Sequence, residues 1–292
     1  MKNPRHLYTF FLLIFTFFSC TSKGNGENES QHIQQEASDV NPVEINIEEK
    51  WELPEILKEV SGIVLISDNL FACVQDEDGK IFVYNTQTSQ IEKEIPFAGT
   101  GDYEGIALVE NTVYVVRSDG KIYQVENWDG EKPEVSEFDT HLTEDDNVEG
   151  LVYDDRDNQL LLAVKDGDKK NENSKGIYAF DLDSKSMTKE PKFKIDLNDP
   201  LLSDGKEKKK SKRFRPSEIG INPATGEIYL TDGPSSKLLI MDRTGKINSV
   251  VQLDEKNFPQ AEGLTFNSTG EIFISNEGNG GTGNILKISL ND

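Results

Sequence analysis

Apolar residues in this chain come in short runs rich in Val, Ile, Phe and Tyr, separated by turns rich in Gly, Asp and Asn. Spacing of the helical kind, apolar at every third or fourth position, is nearly absent, so the runs read as strands. Five of them open on one phrase: Ser61-Gly62-Ile63, Glu104-Gly105-Ile106, Glu149-Gly150-Leu151, Ser217-Glu218-Ile219 and Glu262-Gly263-Leu264. The phrases start 43, 45, 68 and 45 residues apart, and the long interval contains an insertion. Each is followed by a turn, a second apolar run that ends in polar residues, and a third run such as Lys80 to Tyr84 or Lys121 to Val125.

Three or four strands every 44 residues or so match one propeller blade per repeat. A small antiparallel sheet cannot bury both its faces alone, and stacking such sheets around an axis covers the faces and protects the edges. The last repeat, ending near Leu290, lacks a fourth strand, and residues 44–53 form a strand-like piece ahead of the first repeat. That piece can complete the last blade and close the ring. The pattern therefore predicts an all-β chain with one five-bladed β-propeller over residues 44–292. Six blades is the alternative, if segment 181–216 hides a degenerate one.

Ahead of the repeats the pattern changes. Lys2 and Arg5 precede an almost wholly apolar stretch, Leu7 to Phe18, and then Ser19-Cys20. A basic start, a short apolar core and a small residue before the cut form a secretory signal, and the stretch falls well short of the roughly 20 residues that span a bilayer. Ser19-Cys20 resembles a lipobox, with Phe17 departing from the usual leucine. The expectation is cleavage after residue 19 and acylation of Cys20, with residues 20–43 a polar tether that has too little apolar surface to order itself. Thr21 after the cysteine, in place of aspartate, favours the outer membrane of a Gram-negative envelope. The membrane is then one partner, through the lipid, and the chain is otherwise expected to be a monomer.

Composition removes several classes of function. The chain has 292 residues, 53 acidic against 31 basic, for a formal charge of −22. Such a surface repels phosphate backbones, which argues against nucleic acid as a partner. With Cys20 acylated, Cys73 is left alone inside an apolar run, so no disulfide and no thiolate zinc site is available. Of three histidines only His141 lies in the repeat region, too few for a histidine-centred triad or a zinc site. The run Gly278 to Gly283 fits a dinucleotide-binding glycine pattern, but a strand follows it where a helix is required, so it reads as a hairpin loop. Asp166 to Asn173 is rich in oxygen donors but fails calcium-loop spacing and reads as a solvated loop.

The candidate chemistry lies in the repeat phrase itself. The innermost strand of each blade lines the propeller's channel, so alignment places Glu104, Glu149 and Glu262 at equivalent positions there, with Ser61 and Ser217 at the other two. A simple turn between strands explains the glycine after them, but not the glutamate before it. Carboxylates converging on a narrow axis repel one another and gain protons unless a cation intervenes. Ca2+, which takes six to eight oxygen ligands in flexible geometry, suits such a site. The competing reading has these glutamates capping backbone amides or solvated on a wide rim. The second runs end near Asp76, Asp166, Asp232 and Glu277, candidates for an outer shell of ligand-binding groups. A basic insertion spans about 197–216, and Lys206 to Arg215 carries most of its charge. With Arg117 and Lys165 it could clamp a small anionic ligand or an envelope partner over the channel mouth, or remain a solvated loop.

The phrases resemble the SdiA-regulated family of bacterial propeller proteins, often membrane-tethered. The resemblance rests on Ser61-Gly62-Ile63, Tyr103 to Ala107, Val148 to Leu151, Arg215-Pro216-Ser217, Ala261 to Leu264 and Ser275-Asn276-Glu277, and covers about residues 50–290. Glu218 stands where glycine is expected and brings another carboxylate toward the channel. The resemblance implies a propeller and a calcium link related to phytase-like propellers, with no defined reaction. The expected function is binding of Ca2+ and a ligand without turnover. A phytase-like phosphohydrolase, with Arg117, Lys165 or Arg215 holding phosphate, and a lactonase-like hydrolase are the catalytic alternatives.

Overall fold

The computed structural model describes residues 43–166, 173–202 and 214–291. The expected signal and tether, residues 167–172 and the central part of the basic insertion lie outside the described residues. Five antiparallel sheets are arranged as the blades of a propeller, which settles the blade number at five. Blade one consists of β2 (Val60–Ser67), β3 (Leu70–Gln75), β4 (Asp78–Asn85) and β5 (Gln90–Thr100). Blade two contains β6 (Tyr103–Val109), β7 (Thr112–Arg117), β8 (Ile122–Glu126) and β9 (Glu134–Phe138).

Blade three is built from β10 (Val148–Asp154), β11 (Gln159–Val164) and β12 (Ser174–Asp181). Its outer edge is shared by two short strands, β13 (Ser186–Met187) and β14 (Phe193–Asp196), which both pair with β12. Among the described residues of segment 181–216 there is no sixth blade: the strands there finish the third one. Blade four runs through β15 (Glu218–Ile221), β16 (Ile228–Asp232), β17 (Lys237–Met241) and β18 (Ile247–Gln252). Blade five has β19 (Ala261–Phe266), β20 (Ile272–Asn276) and β21 (Asn284–Asn291), and its outer strand is β1 (Glu44–Glu52), from the opposite end of the chain. β1 pairs antiparallel with β21 from Glu44↔Asn291 to Glu52↔Asn284.

The second strands read as unbroken apolar runs because each is buried on both faces. Alternate residues serve opposite neighbours. In β7, Val113 and Val115 pack against blade one, whereas Tyr114 and Val116 pack against blade three. In β3, Ala72 and Val74 face blade two, and Phe71 and Cys73 face blade five. Five apolar clusters result, one at each interface between blades. At the closure between blades five and one, Trp51 of β1 stacks on Phe273 at 6.4 Å and lies 6.5 Å from Phe71. Cys73 is fully buried there, and burial pushes its thiol up, out of the range of thiolate chemistry.

The innermost strands β2, β6, β10, β15 and β19 pack against one another in a ring around the axis. Their approach is close. A Cβ on Gly105 would stand 2.7 Å from the backbone nitrogen of Leu151 in the next blade, and one on Gly62 would stand 2.7 Å from the carbonyl oxygen of Glu104. The glycine of the repeat phrase is therefore a spacing device between neighbouring blades.

Candidate functional site

The repeat phrase carries a backbone irregularity in four of the five blades. Strand register skips one residue between Val60 and Gly62, Tyr103 and Gly105, Val148 and Gly150, and Ala261 and Gly263. The extra residue is in each case the one before the glycine: Ser61, Glu104, Glu149 and Glu262. A β-bulge of this kind re-aims a side chain out of the sheet's alternation. Blade four pairs without a skip from Glu218↔Thr231 to Ile221↔Ile228, and Glu218 occupies the glycine position.

These residues form a buried acidic group. Glu149, Glu218 and Glu262 are 4%, 1% and 5% exposed, and Glu104 is half-buried beside them. Glu149 accepts hydrogen bonds from Asn147 Nδ2 at 2.8 Å and from Lys165 Nζ at 2.8 Å. Lys165 thus stands among the glutamates as their counter-charge. Burial opposes its charge, but Glu149, Glu262 and Glu104 together hold its pKa above the ordinary lysine value.

The carboxyls respond in the opposite direction. Burial first, then the charge of neighbouring carboxylates, raises Glu104 and Glu149, although Lys165 pulls both back. Burial also raises Glu262, against the pull of Lys165 and hydrogen bonds with Ser217 and Gln260. Burial raises Glu218 well above the ordinary carboxylate value. Its Oε1 accepts from the backbone N–H of Leu151 at 2.8 Å and of Ile219 at 2.9 Å, whereas Oε2 is buried with no hydrogen-bond partner. That side chain fills the space beside Gly150, where a Cβ would stand 2.8 Å from Oε1.

The sequence-predicted outer residues divide into two kinds. Glu277 is pushed up to about 7 by burial and by Glu262, Asp76 and Glu59, and Asp76 to about 6 by burial and by Glu59, Glu77 and Asp102. Both continue the acidic field outward from the channel, and Asp76 Oδ1 is buried without a partner. Asp232, fully buried, is committed to the backbone: it accepts from the N–H of Arg215 and of Ser235, each at 3.0 Å. Ser217 Oγ accepts from the N–H of Gly233 at 3.1 Å.

The three cations proposed to hold an anion are each engaged with a carboxylate. Arg117 forms a two-pronged pair with Asp119, at 3.0 and 2.6 Å, and its third arm donates to the Tyr123 hydroxyl at 3.1 Å. Arg215 reaches Asp166 at 2.8 Å across the boundary of blades three and four. Lys165 is held by Glu149. His141 lies in a loop with its ring edge against Tyr178, 5.4 Å between centroids, and the glycine-rich run 278–283 is the loop between β20 and β21.

Two features of this site escaped the sequence reading. The bulges could not be read from apolar periodicity, because one extra residue leaves the pattern of the run unchanged. The role of Lys165 as counter-charge required knowing that β10 and β11 are paired, which places Val148 opposite Val164 and so sets Glu149 beside Lys165.

The sequence profile of the SdiA-regulated family matches residues 36–280. The chain belongs to that family. This SdiA-regulated protein has no match in sequence among curated proteins. In structure it is similar to glutaminyl cyclase of Myxococcus xanthus, with a TM-score of 0.58 and 15% identity over 86% of this chain and 98% of that one. It is also similar to the PQQ-bound aldose sugar dehydrogenase of Streptomyces coelicolor, with a TM-score of 0.52 and 11% identity over 85% and 98% of the two chains. At these identities the likeness is one of fold, and function has to be argued from the site.

The donor set of the SdiA-regulated channel is oxygen only, which suits a hard cation such as Ca2+. Among the described residues, however, no three His, Cys, Asp or Glu side chains stand around one point as a finished cage. Glu218 and Asp76 each keep a buried carboxylate oxygen without a hydrogen-bond partner, as do the side-chain oxygens of Thr231, Ser275 and Asn276.

Proposed function

We propose that this protein is an envelope lipoprotein, anchored through Cys20, whose propeller binds Ca2+ at the acidic end of its channel and acts by binding without turnover. One observation carries the calcium reading. Four blades deliver Glu104, Glu149, Glu218 and Glu262 to one buried region, and among the described residues Lys165 is the cation that faces them. Glutamates held above their ordinary pKa by burial and mutual repulsion are groups a divalent cation would discharge. Binding would draw the carboxylates inward and satisfy the orphaned oxygen of Glu218.

The test is a thermal melt of the full chain in chelator and in excess Ca2+. Ligand that binds the native state alone stabilises it by about 2.7 kcal/mol at a hundredfold excess over Kd, a rise of roughly 5–10 °C for a domain of this size. A variant carrying Glu104→Gln, Glu149→Gln and Glu262→Gln should lose that rise. A calcium-induced rise that survives the triple substitution places the ion elsewhere, and no rise in the native protein removes the reading.

The anchor is tested separately. Cys20→Ser is expected to abolish incorporation of radiolabelled palmitate and to release the protein from the membrane fraction. Labelling that persists in the variant would exclude Cys20 as the acylated residue.

A further inference from the structure

The other mouth of the channel is chemically distinct from the acidic end. There the five innermost strands diverge around a cavity of about 390 Å³ to which every blade contributes. Its floor is lined from four of the strands by the aliphatic residues Ile63, Ile106, Leu151 and Leu264, each 3% exposed or less and shared with the clusters between blades. The volume lies within the range of small-molecule sites, and an apolar floor with a few polar groups at the rim is their usual composition.

The rim carries one guanidinium, that of Arg156 in the turn between β10 and β11. Arg156 is exposed and forms no ion pair among the described residues, in a chain whose acidic residues far outnumber its basic ones. Its position is nonetheless built. The guanidinium lies over Gly226 of the next blade, where a Cβ would collide with it, and Gly226 has a φ of +76°, a backbone conformation that glycine adopts without strain. Asp155 also reaches the rim, exposed and not paired with Arg156.

We propose that this vestibule binds a small amphiphilic carboxylate, its hydrocarbon body on the aliphatic floor and its carboxylate on Arg156. The orientation follows from charge. The guanidinium stands at the rim and the aliphatic floor offers no charge, so the hydrocarbon end enters and the carboxylate stays at the rim. A planar guanidinium accepts a carboxylate through two parallel hydrogen bonds, which an alcohol cannot reproduce. This site is independent of calcium, since none of its residues belongs to the acidic group.

Calorimetric titration of the full chain with octanoate, octanol and octylammonium tests the proposal. Octanoate should bind at one site, and octanol and octylammonium at least about tenfold more weakly. Arg156→Gln should weaken octanoate by about tenfold and leave octanol unchanged, whereas Asp155→Asn should tighten octanoate by removing a like charge. Both substitutions are on exposed side chains, and an unchanged melting temperature confirms that the variants are folded. The proposal is overturned if octanoate does not bind the folded chain, if octanol binds as tightly, or if Arg156→Gln binds octanoate with native affinity.

Discussion

Gly105→Val is expected to destabilise the propeller by about 3 kcal/mol or more, lowering the melting temperature by roughly 6–12 °C. A Cβ at this position meets the backbone nitrogen and the Cβ of Leu151, each at 2.7 Å, and the carbonyl oxygen of Glu149 at 3.1 Å. The nearest obstacles belong to the backbone of the next blade and cannot rotate away, so β6 and β10 have to separate. In a closed ring that separation is transmitted to the remaining interfaces, which are packed at interior density and resist it. Gly99→Ala is the control, because nothing lies within 4 Å of a Cβ there. Urea or thermal denaturation of the two variants compares them directly. Equal stability would show that the phrase glycines do not set the distance between blades.

Lys165→Met is the second large effect, and it depends on pH. Removing one partner of a buried pair leaves an uncompensated charge, at a cost of about 3–5 kcal/mol. Here the loss falls on Glu149, with Glu104 and Glu262 nearby. Their pKa values in the folded protein lie above the unfolded value near 4.5, as does that of Glu277 at about 7. For carboxyls shifted in that direction, stability is fully present below the unfolded pKa and is lost as pH rises through the folded one. The calcium-free native protein should therefore melt at lower temperature at about pH 8 than at about pH 5. Loss of Lys165 steepens that decline, because Lys165 is the charge that offsets the ionised glutamates. Near pH 5 Glu104 and Glu149, pushed up to about 10 and about 7, are largely protonated in the fold, and the variant should melt close to the native protein. A series of melts across pH in chelator checks this. A destabilisation of equal size at both ends of the range would mean that Lys165 acts through packing alone.

Much of the fold was legible because propeller blades repeat. The interval between phrases located all five innermost strands, and the missing outer strand of the last repeat pointed to residues 44–53, which form β1. The ambiguity over segment 181–216 arose because blade three splits its outer edge between β13 and β14, two strands too short to announce themselves by alternation. For the site, alignment brought Glu104, Glu149 and Glu262 to one region, and the departure at Glu218 marked a further acidic contributor. Side-chain partners were not legible. Arg117, Lys165 and Arg215 look in sequence like cations available to a ligand, but Asp119, Glu149 and Asp166 each hold one of them. Such pairings depend on turns and strand register, which bring together residues that composition treats as independent. The apolar vestibule was equally hidden, since its floor is made of the same Ile and Leu positions that mark any inner strand.

The pairing of β1 with β21 has a consequence for biogenesis. The outermost strand of blade five is synthesised first and its partner last, so the circle cannot be sealed until residues 284–291 have been made. A chain still being synthesised lacks the partner that β1 needs. Closure also joins segments more than two hundred residues apart, a loop that is slow to form by diffusion. The late clasp thus keeps an unfinished polypeptide pliable and reserves the rigid state for the completed one.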